Sequence, residues 1–423
     1  MARMRCVDRS QRRWGLARVL FLVSLLASVL GGCGVARNAP VIRSPAPSPT
    51  AKADHQALYV GFATGLIAFR PRDGQKLWTQ TNYGSMYSPV VDGDMLYTGA
   101  NTEAGSQVLA LRASDGAAVW KTTLDRPTWT APILNSGVLY TVTKGSQWSS
   151  SGPSSSLYAL DARTGSVMWR YQTAGNLNPM LYILGESIYA SLDVDLPDLA
   201  GFSTTILALN RADGSVRWRK AESGQLLAEA VGDGMIYVGM YGNHFETPLI
   251  ALNPATGAQL WRREETNRVA WIEASGGDNL YVGLENGSIS ALRPRNGAPL
   301  WTFSLAGGLD HSVDPPVTVR NGLLYVGSLS GYVALLDAAT GATHWRVCIA
   351  YDSCDTPTDA ADWSTPLVAN GTIYIGVTWM HWHPPGESPG GVYALDAATG
   401  SILWQYQQFG GEVGAPALVN PPS

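Results

Sequence analysis

The sequence predicts an all-β protein, an eight-bladed β-propeller, and three observations carry the prediction. Gly stands four residues before Trp in eight places: Gly74 before Trp78, Gly116 before Trp120, Gly165 before Trp169, Gly214 before Trp218, Gly257 before Trp261, Gly297 before Trp301, Gly341 before Trp345 and Gly400 before Trp404. The residue ahead of each Gly is Asp, Asn or Thr (Asp73, Asp115, Thr164, Asp213, Thr256, Asn296, Thr340, Thr399). That suits a turn in which a short polar side chain bonds nearby backbone and Gly takes positive φ. Short apolar runs with period-two alternation, rich in Leu, Tyr and Val, precede the turns, as in Leu324–Leu336. A unit of about 40 to 60 residues holding several short strands, repeated along a chain, is a propeller blade.

Taken in order, residues 1–32 read as a targeting segment: an Arg-rich start, then the apolar run Val19–Leu30, too short to span a bilayer comfortably. Leu30-Gly31-Gly32-Cys33 resembles the lipobox of bacterial lipoproteins, which implies cleavage before Cys33 and lipidation of its thiol. Residues 33–56 carry Pro40, Pro45, Pro47 and Pro49 among Ala, Ser and Thr with no periodicity, and read as a flexible tether.

Residues 57–423 hold the blades. The fullest unit shows strand A at Pro366–Val368, strand B at Ile373–Gly376, strand C at Val392–Leu395 and strand D at Ile402–Trp404. The first unit begins at Leu58-Tyr-Val-Gly61 with no strand A before it, while Gly414–Asn420 carries the A-strand pattern after the last Trp. The C-terminus is therefore expected to close the ring as the inner strand of blade one, leaving no open edge there. The Trp at the end of each strand D is expected to pack on a neighbouring blade, each covering roughly 150–250 Å².

Charged residues make up 15% of the chain and Gly numbers 46, which suits sheets and turns. The formal charge is −4; residues 1–32 hold six Arg and one Asp, a net +5, so their removal leaves −9. An acidic surface argues against nucleic acid and against a polybasic membrane contact, leaving the lipid as the membrane attachment. The expected state is a monomer.

Ala159-Leu-Asp161-Ala-Arg-Thr164-Gly165-Ser-Val-Met-Trp169 and Ala394-Leu-Asp396-Ala-Ala-Thr399-Gly400-Ser-Ile-Leu-Trp404 share one pattern. It resembles the tryptophan-docking repeat of pyrroloquinoline quinone (PQQ)-type propellers, a group that includes quinoprotein alcohol dehydrogenases and BamB-like assembly lipoproteins. The resemblance implies the eight-bladed fold over residues 57–423; it leaves chemistry to be argued from the site. The dehydrogenases hold PQQ and Ca²⁺ at the ring centre with a Glu, an Asn and an Asp, often beside a bridge between adjacent cysteines. Here Asn178, Glu229, Glu273 and Asp314 stand near A-strand starts without the family's motif context, and Cys348 and Cys354 are not adjacent. PQQ and Ca²⁺ thus belong only to an alternative reading as a PQQ-dependent dehydrogenase.

No other constellation for catalysis and no named metal site is legible. Met380-His381-Trp382-His383-Pro384 is the one His-rich spot; it reads as an aromatic loop, its ligand number and spacing matching no named metal site. Cys348 and Cys354 lie in the segment joining blades seven and eight, and export to an oxidising compartment favours a disulfide between them.

The A–B and C–D turns share one face of the ring, and the B–C and D–A loops share the other. The insertions fall in the second set: 144–156, 193–204, 241–248, 346–362 and 378–390. Function gathers on variable loops over a rigid scaffold. Trp129 and Trp363, each three residues before an A-strand Pro, together with Tyr87 and Trp271, are expected at the mouth of the central funnel, and Trp379, His381, Trp382 and His383 on the loop beside it. The leading expectation is a lipid-anchored, non-catalytic, BamB-like binding propeller engaging an envelope protein or peptide; a cell-wall glycan binder using the funnel aromatics is a further alternative.

Overall fold

The structure is a computed structural model and describes residues 56–102, 105–128, 130–144, 155–178, 180–195, 202–241, 246–274, 279–304, 317–349, 354, 360–380, 389–409 and 413–418. Every regular element among them is a strand, and the strands form eight antiparallel sheets, the blades of a propeller. Blade one has the order Lys76–Gln80, Gly65–Phe69, Leu58–Phe62, Ala417–Leu418. Its inner strand therefore comes from the C-terminus: Leu58 pairs with Leu418, Tyr59 with Ala417, and Phe62 bridges Val413.

Strands B to D run longer than the alternation suggested. In blade eight strand B spans Thr372–Met380, strand C Pro389–Asp396 and strand D Ile402–Phe409. Strand A is the broken one: blade two splits it into Ser85–Met86 and Val90–Asp92, and blade eight into Ala360–Trp363 and Leu367–Ala369. Pro89 and Pro366 fall in those breaks, because Pro has no N–H to give the ladder. Blade five has no Pro there, and its inner strand Gln225–Gly232 runs on with a single register shift.

The docking Trp residues join the sheets into a ring. Each donates its indole N–H to a carbonyl of the next blade: Trp78 to Ala113, Trp120 to Ala162, Trp169 to Arg211, Trp218 to Pro254, Trp261 to Pro294, Trp301 to Ala338 and Trp345 to Ala397, at 2.8–3.2 Å. Trp404 completes the circuit by donating to Pro71 of blade one at 2.6 Å. Each indole also lies flat on the turn Gly of the next blade. A Cβ on Gly74 would stand 2.6 Å from Trp404 Cε3, and Gly74 has φ of +68°, so both the turn and the close approach demand Gly. The eight-fold Gly–Trp spacing thus encodes two halves of one contact, the Gly of each blade receiving the Trp of the blade before.

A second repeat lies beneath the first. Strand B of every blade places a buried Tyr at one register: Tyr59, Tyr97, Tyr140, Tyr189, Tyr237, Tyr281, Tyr325 and Tyr374. Tyr59 sits 5.6 Å from Trp78, and Tyr374 sits 6.1 Å from Trp404, centroid to centroid. Several of these hydroxyls donate to the carbonyl that receives the Trp, as Tyr281 does to Ala338 and Tyr59 to Ala113. One carbonyl takes both donors, so neither polar handle of the aromatic pair is left unpaired.

Candidate functional site

Strand topology places the expected site residues in three groups. Cys33, Trp129, His381, Trp382 and His383 lie outside the described residues. Trp271, Trp363 and Trp379 are buried, with 3%, 5% and 2% of their surface exposed; Trp271 lines the cavity described below, whereas Trp363, expected at the funnel mouth, and Trp379, expected on the loop beside it, are packed into the fold. The cause is the small residue at the centre of strand B, which leaves a slot for a large neighbour. Trp363 fills the slot over Gly327 of blade seven and donates Nε1 to the Ser328 carbonyl at 2.7 Å. Trp271 lies instead on Gly283 of its own blade, its partner in the ladder, and Trp379 packs into the core shared by blades seven and eight. Tyr87 is half-buried: its hydroxyl donates to the Thr128 carbonyl at 3.1 Å and accepts from Asn101 Nδ2 at 3.3 Å. Cys348 and Cys354 are joined by a disulfide, their Cα atoms 5.8 Å apart.

The inner strands of blades four to eight line a cavity of about 390 Å³ on the propeller axis. Its wall is apolar at Met180, Leu227, Val231, Ile272 and Val317 and carries two carboxyls, Glu229 and Glu273. Glu229 comes from blade five and is 7% exposed. Its backbone carbonyl accepts the hydroxyl of Tyr182 from blade four, which ties the two inner strands together. Burial pushes the Glu229 carboxyl up to about 8; a hydrogen bond from the Ser191 hydroxyl pulls the other way, and the Asp193 carboxylate adds a lesser push upward. The Tyr182 hydroxyl is held far above its ordinary range by burial first and then by Glu229 and Glu273. Asn178 stays at the strand break, its side chain accepting the Met180 N–H at 3.0 Å; Asp314 lies outside the described residues.

This wall does not fit PQQ. A quinone carrying three carboxylates calls for cationic partners, and the described residues lining the cavity include two acids and no Lys or Arg.

Sequence reasoning passed over Ser191 and Asp193, which the fold brings to Glu229. No motif marks them, since they stand on a strand of blade four and Glu229 on one of blade five; the available signal was a Ser at 191 where blades one, two and five to eight have Gly two residues after the strand-B Tyr.

A family model described as outer membrane protein assembly factor BamB matches residues 42–196, 199–307 and 285–421. The chain belongs to this family. Solved structures agree on the fold. BamB from Moraxella catarrhalis aligns at 17% identity over 77% of this chain and 94% of its own, with a TM-score of 0.50. AztD from Citrobacter koseri aligns at 13% identity over 87% and 99%, with a TM-score of 0.54. A quinohemoprotein alcohol dehydrogenase from Comamonas testosteroni aligns at 15% over 77% and 67%, with a TM-score of 0.54. At such identities the structures share architecture and carry no residue roles across. No curated protein matches the chain.

Proposed function

We propose that this BamB-family chain is an extracytoplasmic, lipid-anchored, non-catalytic binding propeller that engages an envelope protein or peptide through the face bearing its B–C and D–A loops. The observation that carries the reading is the BamB family match, which runs through all the blades. The contrast between the faces supports the choice of surface. The A–B turns are two-residue turns at positive φ, as at Ser136-Gly137 and Asn370-Gly371, while the other face carries the long insertions. Short turns built for geometry offer little to a partner; long loops on a rigid ring offer area. The burial of Trp271, Trp363 and Trp379 shifts the expected anchors outward, to Trp129 and to Trp382 with its flanking histidines.

Capture from solubilised envelope tests the reading. Trp129→Ala combined with Trp382→Ala should weaken partner capture at least tenfold, since a well-packed aromatic anchor is worth about 2 kcal/mol or more. Arg295→Ala on the turn face, an exposed position, should leave capture unchanged. Equal losses from both faces would reject the proposed surface. Anchoring is tested separately: Cys33→Ala should move the protein from the membrane pellet to the soluble fraction, and retention after a salt wash would reject the lipid anchor.

A further inference from the structure

The outer strand of every blade carries a β-bulge at one position. The ladder between strands C and D skips the residue before each docking Trp: Leu77, Val119, Met168, Arg217, Leu260, Leu300, His344 and Leu403. A bulge re-aims a side chain, and strand D is the outer edge of its sheet. The six apolar residues of this set are 39–55% exposed. Single exposed apolar side chains are ordinary. Six at one repeated position on edge strands are not, because edges are normally kept charged or covered.

The six are unevenly placed around the ring. Blades eight, one, two and three form an unbroken arc with Leu403, Leu77, Val119 and Met168, and the exposed Ile402 and Val167 double it at its two ends. Arg217 of blade four and His344 of blade seven, both exposed, bound the arc on either side. Across the ring, blades five and six carry Leu260 and Leu300 alone.

The chain enters the propeller inside this arc. Gln56 leads into strand B of blade one, and its side chain accepts a hydrogen bond from Asn370 Nδ2 of blade eight at 3.3 Å. Leu58, Phe69 and Lys76 stand in one row across blade one. The point of entry therefore lies at the end of the blade that bears Leu77, two strand spacings or about 10 Å inward from it. That end carries the short turns; the long insertions leave from the other.

We infer that the rim of blades eight, one, two and three rests on the lipid bilayer that holds the Cys33 anchor. The inference builds on the lipid anchoring proposed above. Residues 33–56 join that lipid to blade one, and a flexible chain of their length spans roughly 30 Å, which keeps the arc close to the lipid surface. A fluid surface accepts side chains spaced one blade apart along a curved edge, whereas a protein partner would need them contiguous. The turns beside the arc pair their charges, Arg70 and Arg72 with Asp73 and Arg112 with Asp115, so the contact is apolar and insensitive to salt. Half-exposed side chains, one or two to a blade, do not hold the chain by themselves; they act under the effective concentration that the anchor sets. This contact turns the face with the B–C and D–A loops away from the bilayer and leaves it open to a partner.

Hydrogen exchange read by mass spectrometry tests the rim. Protein purified from the membrane with its lipid is placed in vesicles of phosphatidylethanolamine and phosphatidylglycerol and compared with the same protein in detergent. Exchange should slow at least about twofold in Lys76–Gln80, Ala118–Thr123, Val167–Thr173 and Ile402–Phe409, and stay unchanged in Val216–Ser223 and Gln259–Glu264. Leu77→Ser combined with Met168→Ser alters two exposed positions; it should remove the slowing while circular dichroism stays that of the folded protein. No slowing, equal slowing around the whole ring, or slowing that disappears in high salt would overturn the inference. Slowing without vesicles that grows with protein concentration would assign the rim to a second copy of the chain and overturn it too. The mass of the N-terminal peptide reads the anchor separately. A bare Cys33 thiol would reject the lipid anchor, and the same chain coupled through Cys33 to a maleimide lipid would still decide the rim.

Discussion

The seam between blades eight and one and the seam between blades four and five do the same job with opposite chemistry. The first is aromatic and dry. Phe62, Phe69, Trp404 and Tyr406 cluster there, with Phe69 and Tyr406 centroids 5.0 Å apart and Phe69 and Trp404 6.2 Å apart. The second holds Ser191, Asp193 and Glu229. The difference follows chain connectivity. Blades four and five are neighbours along the sequence, so their contact costs little loop entropy, and polar groups can be carried in it. Blade one must join residues some 360 positions apart, as in Leu58 against Leu418, and closing so long a loop costs more. Aromatic side chains supply large apolar area where it offsets that cost.

The largest expected effect breaks the dry seam. Deleting residues 413–423 removes the Ala417–Leu418 strand, the Phe62–Val413 bridge and the Gly414 N–H bond to the Gly61 carbonyl. The truncated protein should unfold at a much lower midpoint in calorimetry and expose the edge of blade one; an unchanged midpoint would show that closure adds nothing. Phe69→Ala comes next. It opens a cavity in a fully buried site, and denaturant melts should register a loss of about 3–5 kcal/mol. Trp78→Ala, at a half-buried docking site of an ordinary seam, should cost less than Trp404→Ala, which is 9% exposed.

The polar seam is probed by pH. The Glu229 carboxyl holds its proton up to about 8 when folded, against about 4.5 unfolded. The folded pKa is raised, so between those values the folded state binds the extra proton. Stability is then full below the unfolded pKa and falls as pH rises toward 8, by about 1.4 kcal/mol per pH unit. Glu229→Gln should flatten that slope, and a wild-type melt independent of pH across the window would contradict the burial of this acid. The smallest effect lies at the turns. Asp337 is held below the ordinary carboxylate range by the Thr340 hydroxyl first and then by the Thr340 backbone N–H. Thr340→Ala should move the Asp337 titration, followed by NMR, upward toward that range; stability should change little, because the turn is exposed.

The repeat made the scaffold legible. Gly and Trp at fixed spacing report a contact between blades as well as a turn within one, because the close approach of an indole excludes every other residue at Gly74 and its seven equivalents. Pro366, read as the start of strand A, instead stands in a break of that strand, as Pro89 does in blade two. One aromatic expected at the funnel was misread for a physical reason. Trp363 looks like a loop residue beside Pro366, yet the slot over Gly327 lies one blade away, and a sequence does not show which neighbour a side chain will find.

By itself, the sequence determined the all-β class, the number of blades, the docking role of the Trp ring and the closing of blade one by the C-terminus, because each is written in local periodicity and turn chemistry that recurs eight times. Tertiary structure alone decided what stands at the centre. Ser191 and Glu229 are 38 positions apart, in strands of two blades, and only the stacking of those blades buries them against each other. A repeat specifies the ring because every blade votes for it; a cluster assembled once, from single departures within two blades, has no such repetition to announce it.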